Sequence, residues 1–278
     1  MSQMRKGDFN GAAKTILQSN PLPAITGQIC PHLFESQCNR RGFDEPVSIR
    51  DVEKFVGNYV LDHSKELMRA PRGKSSKKRV AIVGAGPAGL SAAYYLRASG
   101  FQVTVFDKMP KAGGLLAYGI PAYRLSKDIV ERQIHALQAM GIEFKLGVTV
   151  GGKKGPTLST LRKKANAVFL ASGAWQQKAL KMEHAELLTA GMDFLVAAEL
   201  GKKPALGKRI LVIGGGNVAI DVAVSARKRG AEEVTIACLE ARDAMPAFHE
   251  ELEEALHEGV QLLPSFGPRA LRVENGKI

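Results

Sequence analysis

Two short segments combine the residue types and spacing needed to grip a phosphate. In VGAGPAGL, Gly84, Gly86 and Gly89 form G-x-G-x-x-G, and in VIGGGNVA, Gly214 and Gly216 repeat the first two places with Ala219 in the third. Each segment follows an apolar run and opens a stretch of helix formers. A turn of this kind sets backbone N–H groups and a helix N-terminus against a pyrophosphate. The first glycine makes the turn, the second allows close approach, and the third small residue lets helix pack on strand. One such turn serves one nucleotide, so two turns predict two. The first has the companion it needs: Asp107 ends the next apolar run, 23 residues after Gly84, where a carboxylate would accept hydrogen bonds from a ribose. After the corresponding run of the second segment, TIACLEARD places Glu240 and then Arg242. A carboxylate suits the free ribose hydroxyls of NAD and repels the added phosphate of NADP. NADH is therefore the favoured partner at this turn, with Arg242 keeping NADPH open.

The elements that must position these turns can be read from hydrophobic periodicity. RVAIVG, QVTVFD, IEFKLGVTV and AVFLASG read as strands. Helices lie between them over PAGLSAAYYLRAS, closed by Gly100, and from Ser126 to Gly141. A second βαβ series follows: RILVIGG, a helix over about 217–229 stopped by Gly230, EVTIACLE, a helix through FHEELEEALHEG, and VQLLPSF. Continuous β-branched runs alternating with helices predict parallel sheets covered on both faces. The chain closes on ALRVENGKI, where Asn275 and Gly276 suggest a turn toward a strand that does not arrive, so the second domain reads as incomplete. Before residue 70 no strand is legible. SIRDVEKFVGNYVLDHSKELM has helical spacing after Ser48 as N-cap, and APRGKSSKKR has linker composition.

Bulk properties exclude several classes. The 278 residues are 45% hydrophobic and 24% charged, as in a globular protein of about two domains. No apolar run reaches the roughly 18 residues of a membrane span, and the N-terminus lacks a signal-peptide core, so cytoplasmic localisation is expected. Three cysteines, Cys30, Cys38 and Cys238, are too few for a disulfide framework. The net charge of +12 comes from clusters such as Arg162–Lys164 and Arg227–Arg229, without interleaved aromatics. Nucleic-acid binding is not expected, and the basic surface reads as solvated and anion-steering.

After Asp107 the segment DKMPKAGGLLAYGIPAYRL brings two more close backbone approaches, at Gly113–Gly114 and Gly119–Pro121, more than an NAD site requires. An extended isoalloxazine would use them. The acid followed by a GG pair, the GIP-x-x-RL segment and the later AVFLASGAW resemble the FAD domain of the glutamate synthase small (beta) subunit family. Its relatives include the flavoprotein part of dihydropyrimidine dehydrogenase and the large subunit of NADH-dependent ferredoxin:NADP oxidoreductase. The resemblance implies that Gly84, Gly86, Pro87, Ala88, Gly89, Asp107, Lys108, Gly114, Leu115, Gly119, Pro121 and Arg124 line FAD. It further implies that Val150 meets adenine through its backbone and that Ala171, Ser172 and Gly173 form the exit from the FAD half. Arg124 has a chemical rationale as well, since a cation beside a flavin stabilises its anionic reduced ring or its pyrophosphate; a solvated arginine opening the next helix is the alternative. For the second turn the resemblance implies an NAD(P) pyrophosphate held near Asn217 and Val218 beside Gly214, Gly216 and Ala219, with Asp221 orienting the loop. Family members that use NADPH tend to carry an arginine pair where Leu239 and Glu240 stand here.

Two departures from the family qualify the reading. The family's N-terminal domain holds two [4Fe-4S] clusters, but here the matching portion reads CPHLFESQCNR, with Phe34 where a cysteine is expected. Such a cluster needs about four thiolates, and only Cys30 and Cys38 are local, so cluster binding is not expected of this chain alone. The family also returns from the NAD(P) domain to complete the FAD domain, and this sequence stops before that return.

The domains expected are therefore a helical N-terminal domain at 1–70, the remnant of an iron-sulfur domain, and a basic linker at 71–78. The first half of an FAD-binding domain follows at 79–200, and an incomplete NAD(P)-binding domain at 207–278. The fold class is α/β, with paired Rossmann-like FAD and NAD(P) domains behind a small all-α domain. The implied activity is hydride transfer from NAD(P)H to FAD, with electrons passed to an iron-sulfur or redox partner subunit. Alternatives are a non-catalytic nucleotide-binding scaffold or a fragment of a larger oxidoreductase complex. A disulfide reductase would need a C-x-x-C, which the sequence lacks. Hydride transfer between stacked rings needs no protein acid or base, so His249 is assigned to a helix surface and Trp175 to packing.

Overall fold

The structure is a computed structural model that describes residues 1–69, 76–177, 180–202 and 206–273. Most of the expected linker, residues 71–75, and the turn expected at Asn275 and Gly276 lie outside the described residues. The chain forms two units: Met1–Ala117 with Ala122–Gly173, and Tyr118–Pro121 with Ala174–Ile278.

The first unit begins with helices: α1 (Ser2–Arg5), α2 (Phe9–Leu17), α3 (Pro23–Ile29), α4 (Ile49–Asp62) and α5 (Ser64–Leu67). Asp8 caps α2, its carboxylate accepting from the Gly11 amide at 2.8 Å. Ser48 stands at the N-cap of α4 as expected, but its side chain accepts no capping bond. α3 and α4 cross closely because each offers a glycine. A Cβ on Gly27 would lie 2.5 Å from the Lys54 amide nitrogen, and one on Gly57 would lie 2.2 Å from that of Ala24.

The rest of the unit is a parallel sheet with its crossovers: β1 (Arg79–Val83), α6 (Pro87–Ala98), β2 (Gln102–Phe106), α7 (Leu115–Tyr118), α8 (Lys127–Ala139), β3 (Glu143–Lys145), α9 (Leu158–Lys164) and β4 (Ala167–Leu170). The strand order is β3-β2-β1-β4. The chain therefore reverses its direction of travel between β1 and β4, and in open parallel sheets such a switch point is where ligands bind, beyond the carboxyl ends of the strands. Ile82 and Val105 are fully buried at the centre, each contributing roughly 1.5–3 kcal/mol. The helical segment docks on α8, where Asp62 pairs with Arg132 at 2.5 Å.

The second unit runs α10 (Gly191–Glu199), β5 (Arg209–Ile213), α11 (Asn217–Lys228), β6 (Glu233–Cys238), α12 (His249–His257) and β7 (Gln261–Pro264), with parallel order β5-β6-β7. Its core joins Ile220 and Val224 of α11 to Ile236 of β6 and Leu252 of α12.

One device occurs in both units. Arg97 on α6 donates from Nε to the Met140 carbonyl at 2.7 Å and from Nη1 to the Phe101 carbonyl at 3.3 Å. Arg227 on α11 donates from Nε to the Glu258 carbonyl at 3.2 Å and from Nη1 to the Ala231 carbonyl at 2.9 Å. Each arginine follows the first glycine of its turn by 13 residues and reaches the residue before a left-handed glycine, Gly141 (φ 86°) or Gly259 (φ 81°). The glycine-turn helix is thereby tied, at its far end, to the C-terminal end of α8 in the first unit and of α12 in the second.

Two expectations are corrected. The strand read over IEFKLGVTV holds only Glu143–Lys145, because Gly147 turns at φ 69° and Val148 then donates to the Asp107 carbonyl at 2.8 Å. The sheets are covered on both faces at their centres but not at β4 and β5, where Leu170 is 59% and Leu211 62% exposed. Both are edge strands among the described residues, with a neighbour on one side only. No described helix is long and apolar enough to cross a membrane.

Candidate functional site: two glycine turns at strand ends

The first turn leaves the carboxyl end of β1. Gly84 takes φ +111°, donates to the Phe106 carbonyl at 2.8 Å, and sits so that a Cβ would be 2.0 Å from the Ala171 carbonyl oxygen. Ala171 itself extends β4, its amide donating to the Val83 carbonyl at 2.7 Å. Gly84 and Ala171 thus meet across the switch point, with Ser172 exposed and Gly173 turning at φ 74°. A Cβ on Gly89 would lie 1.9 Å from the Gly84 carbonyl oxygen, which is why only glycine lets α6 seat on this turn. Gly86 is the N-cap of α6, with Pro87 and Ala88 exposed at the helix start. The first amides of a helix have no intrahelical partner and carry the positive end of its dipole.

Asp107 closes the cradle. One carboxylate oxygen accepts from the Ala85 amide at 2.6 Å and the other from the Met109 amide at 2.8 Å. A carboxylate offers about four lone-pair sites, so two backbone bonds leave acceptor capacity for a ribose. The glycine pair packs directly against the turn. The Gly113 amide donates to the Ala85 carbonyl at 2.8 Å, and a Cβ on Gly114 would come within 2.7 Å of the Gly86 Cα. Val150 is half-buried against the cluster of Ala81, Phe106 and Leu161. Lys108 is exposed, and Leu115 and Arg124 are half-buried in the same unit. Gly119 and Pro121 are buried and group with the second unit.

The second turn repeats the geometry at the end of β5. Gly214 takes φ +130° and donates to the Ala237 carbonyl at 2.8 Å. Ala219, 9% exposed, occupies the helix-on-strand contact, and a Cβ on Gly216 would meet nothing within 4 Å. Val218 is exposed at the helix start, whereas Asp221 is buried. Glu240 leans over the turn: its Oε2 lies 3.0 Å from where a Cβ on Gly215 would stand. Arg242 is turned aside, donating to Glu253 at 2.6 Å. Asn217 is also engaged, its amide nitrogen donating to Glu251.

Sequence reasoning missed Glu251 and Glu253. Both lie in the acid-rich run HEELEEALHEG, and each meets a partner outside its own helix, through the return of α12 over the turn, so no periodicity within one element points to the pair. His249 is exposed on α12, and Trp175 packs near Tyr118 with ring centroids 6.5 Å apart. Burial, followed by the charge of Glu240, pushes the Cys238 thiol above its ordinary range. Among the described residues no cluster of three or more His, Cys, Asp or Glu side chains is arranged for a metal.

Fold and site define a class: two strand–glycine turn–helix units, each on its own parallel sheet, of the kind that binds dinucleotides. The chain belongs to the pyridine nucleotide-disulphide oxidoreductase family, which matches residues 78–265. Residues 1–65 match dihydropyrimidine dehydrogenase domain II, described as a 4Fe-4S cluster domain. The NADPH-Fe(3+) oxidoreductase subunit beta of Geobacter sulfurreducens is 37% identical over 97% of this chain and 41% of its own length. The glutamate synthase [NADPH] small chain of Escherichia coli is 35% identical, over 98% of this chain and 61% of its own. The expected resemblance to the glutamate synthase small subunit is thereby upheld. Among solved structures, Mycobacterium tuberculosis FprA in complex with NADPH aligns with a TM-score of 0.55 at 26% identity, covering 66% of this chain and 48% of that one. This chain spans about two fifths of the length of the first of these relatives.

Proposed function

We propose that the chain is an FAD-dependent NAD(P)H oxidoreductase module of the glutamate synthase small-subunit type. It takes a hydride from NAD(P)H onto FAD and passes electrons to an iron-sulfur or other redox partner, in a larger subunit or a separate protein. The observation that carries this reading is the paired cradle. Gly86 and Gly216 each cap a twelve-residue helix that has no side-chain capping bond, at the carboxyl end of a parallel strand. The residues fit a dinucleotide at each.

At the first turn Gly84, the amides of Gly86, Ala88 and Gly89, and Pro87 at the start of α6 would hold the FAD pyrophosphate. Asp107 would hold the ribose, and Arg124 would supply a cation to the reduced ring or the phosphates. Lys108, Gly114, Leu115, Gly119, Pro121, Val150 and Ala171–Gly173 complete the proposed FAD set. At the second turn Gly214, Gly216, Asn217, Val218 and Ala219 would hold the nicotinamide dinucleotide, with Asp221 bracing the helix start. When bound, the flavin accepts two electrons together and releases them singly; the side chains position and charge-balance without proton transfer. The nicotinamide nucleotide proposed is NADH, because Glu240 overlies the turn and Arg242 is occupied, although the relatives named above carry NADPH in their names.

The domain division proposed is 1–70, 79–200 and 207–278, joined by the linker 71–78. A [4Fe-4S] cluster does not fit this chain: the N-terminal segment has two thiols, Cys30 and Cys38, where about four are needed. The basic surface suits an acidic electron carrier rather than nucleic acid, and three free thiols suit the cytoplasm.

Anaerobic mixing of purified protein with NADH tests the reading. Bleaching of the flavin's visible band is expected. A flavin-loaded protein that NADH and NADPH both leave oxidised would point instead to a nucleotide-binding scaffold.

A further inference from the structure

We propose that Glu253 sets the nucleotide preference of the Gly214 turn by holding Arg242 away from the position a 2′-phosphate would occupy. This rests on the reading of that turn as a nicotinamide-dinucleotide site. Recognition of the added phosphate needs a cation just after the second strand, and Arg242, in the short turn Arg242–Ala244, is the guanidinium in that place. It is spent elsewhere: its Nη2 donates to Glu253 Oε1 at 2.6 Å.

Glu253 is not a loose surface acid. It rides on α12, which is fixed to the core through Leu252 (2% exposed) and Ala255 (0%). The same helix holds the turn at a second point, where Glu251 accepts from Asn217. The segment leading into it holds a third, the Ala247 amide donating to the Gly215 carbonyl at 3.1 Å. α12 is therefore a bracket clamped to the glycine turn, and Glu253 is the part of the bracket that takes the arginine. The hydrogen bond from Arg242, with smaller contributions from its charge and from His249 and His257, keeps the Glu253 carboxyl below its ordinary range, so it is ionised at neutral pH. With Glu240 above the turn and Glu253 on the arginine, a 2′-phosphate meets a carboxylate and gains no cation.

Isothermal titration calorimetry of the full chain with NAD+ and NADP+ tests this without turnover. Glu253→Gln and Glu253→Ala should each raise NADP+ affinity about tenfold, the size of one charge-assisted hydrogen bond gained, while NAD+ affinity moves less than about twofold. The gain should vanish in Arg242→Ala/Glu253→Gln, and Glu254→Gln, which neutralises the exposed neighbour, should leave both affinities unchanged. A gain that survives loss of Arg242, or that Glu254→Gln reproduces, overturns the role of Glu253 in favour of a general charge effect. Unchanged NADP+ affinity in variants that still bind NAD+ overturns it alone. Failure of the unaltered protein to bind either dinucleotide overturns the nucleotide site together with it.

Discussion

At the residue scale, two glycines at different steps of the two turns, the third place of the first and the second place of the second, do different work. Gly89 is steric: a Cβ there enters the Gly84 carbonyl. Gly89→Ala should cost about 3 kcal/mol, as overpacking does, and lower the melting midpoint by roughly 5–10 °C. Gly216 is open: a Cβ there touches nothing. Gly216→Ala should leave the melting curve unmoved while NAD+ affinity falls at least about tenfold, since the methyl occupies the space a pyrophosphate needs. Calorimetry and thermal melts on the two variants separate these roles, and loss of stability in Gly216→Ala would refute the assignment. The cysteines give an independent check. Hydrogen bonds from the backbone of Val47 and then Arg40 draw the Cys38 thiol below its ordinary value, whereas burial raises that of Cys238. A thiolate reacts and a thiol does not. Iodoacetamide near neutral pH should therefore label Cys38 first and Cys238 last, with Cys238 catching up only as pH rises beyond the ordinary thiol range; peptide mass mapping reads the order.

At the element scale, the paired arginine ties carry a prediction of their own. Arg97→Ala leaves the Met140 and Phe101 carbonyls without their guanidinium, and Arg227→Ala does the same to Glu258 and Ala231. Each should cost about 1–3 kcal/mol of stability. Nucleotide affinity should hold, because the tie is at the end of the helix remote from its glycine turn; equal loss of both would count against this. The alternation of strands and helices, the two glycine turns and the acid at the first strand end were all legible from spacing, because each depends on neighbours within one βαβ unit. Three things were not. The length of the strand at Glu143–Lys145 depends on Asp107 capturing the chain after Gly147. The exposure of Leu170 and Leu211 depends on which strands fall at a sheet edge. The pairing of Arg242 with Glu253 depends on how α12 returns over the turn. All three are set by tertiary neighbours that no local period encodes.

At the scale of the whole molecule, charge is the property that acts at a distance. A net charge of +12 over 278 residues attracts an acidic partner before contact, and that attraction is screened over about 8–10 Å at physiological salt. Reduction of an acidic one-electron carrier by the NADH-reduced protein should slow several-fold as ionic strength rises from about 0.05 to 0.5 M, with the reduction of a neutral dye unaffected. Stopped-flow traces at graded salt measure this, and a flat dependence would reject the acidic carrier as partner.

The two backbone bonds to Asp107 have one more consequence. Because its carboxylate is tied by the Ala85 and Met109 amides, its position is set by the chain's own backbone, and holding it costs a nucleotide little on binding. A protein stripped of its coenzyme should keep its secondary structure and refill on simple incubation. It would then accept ring-modified flavins as replacement parts, an approach closed to proteins that must refold around the coenzyme they hold.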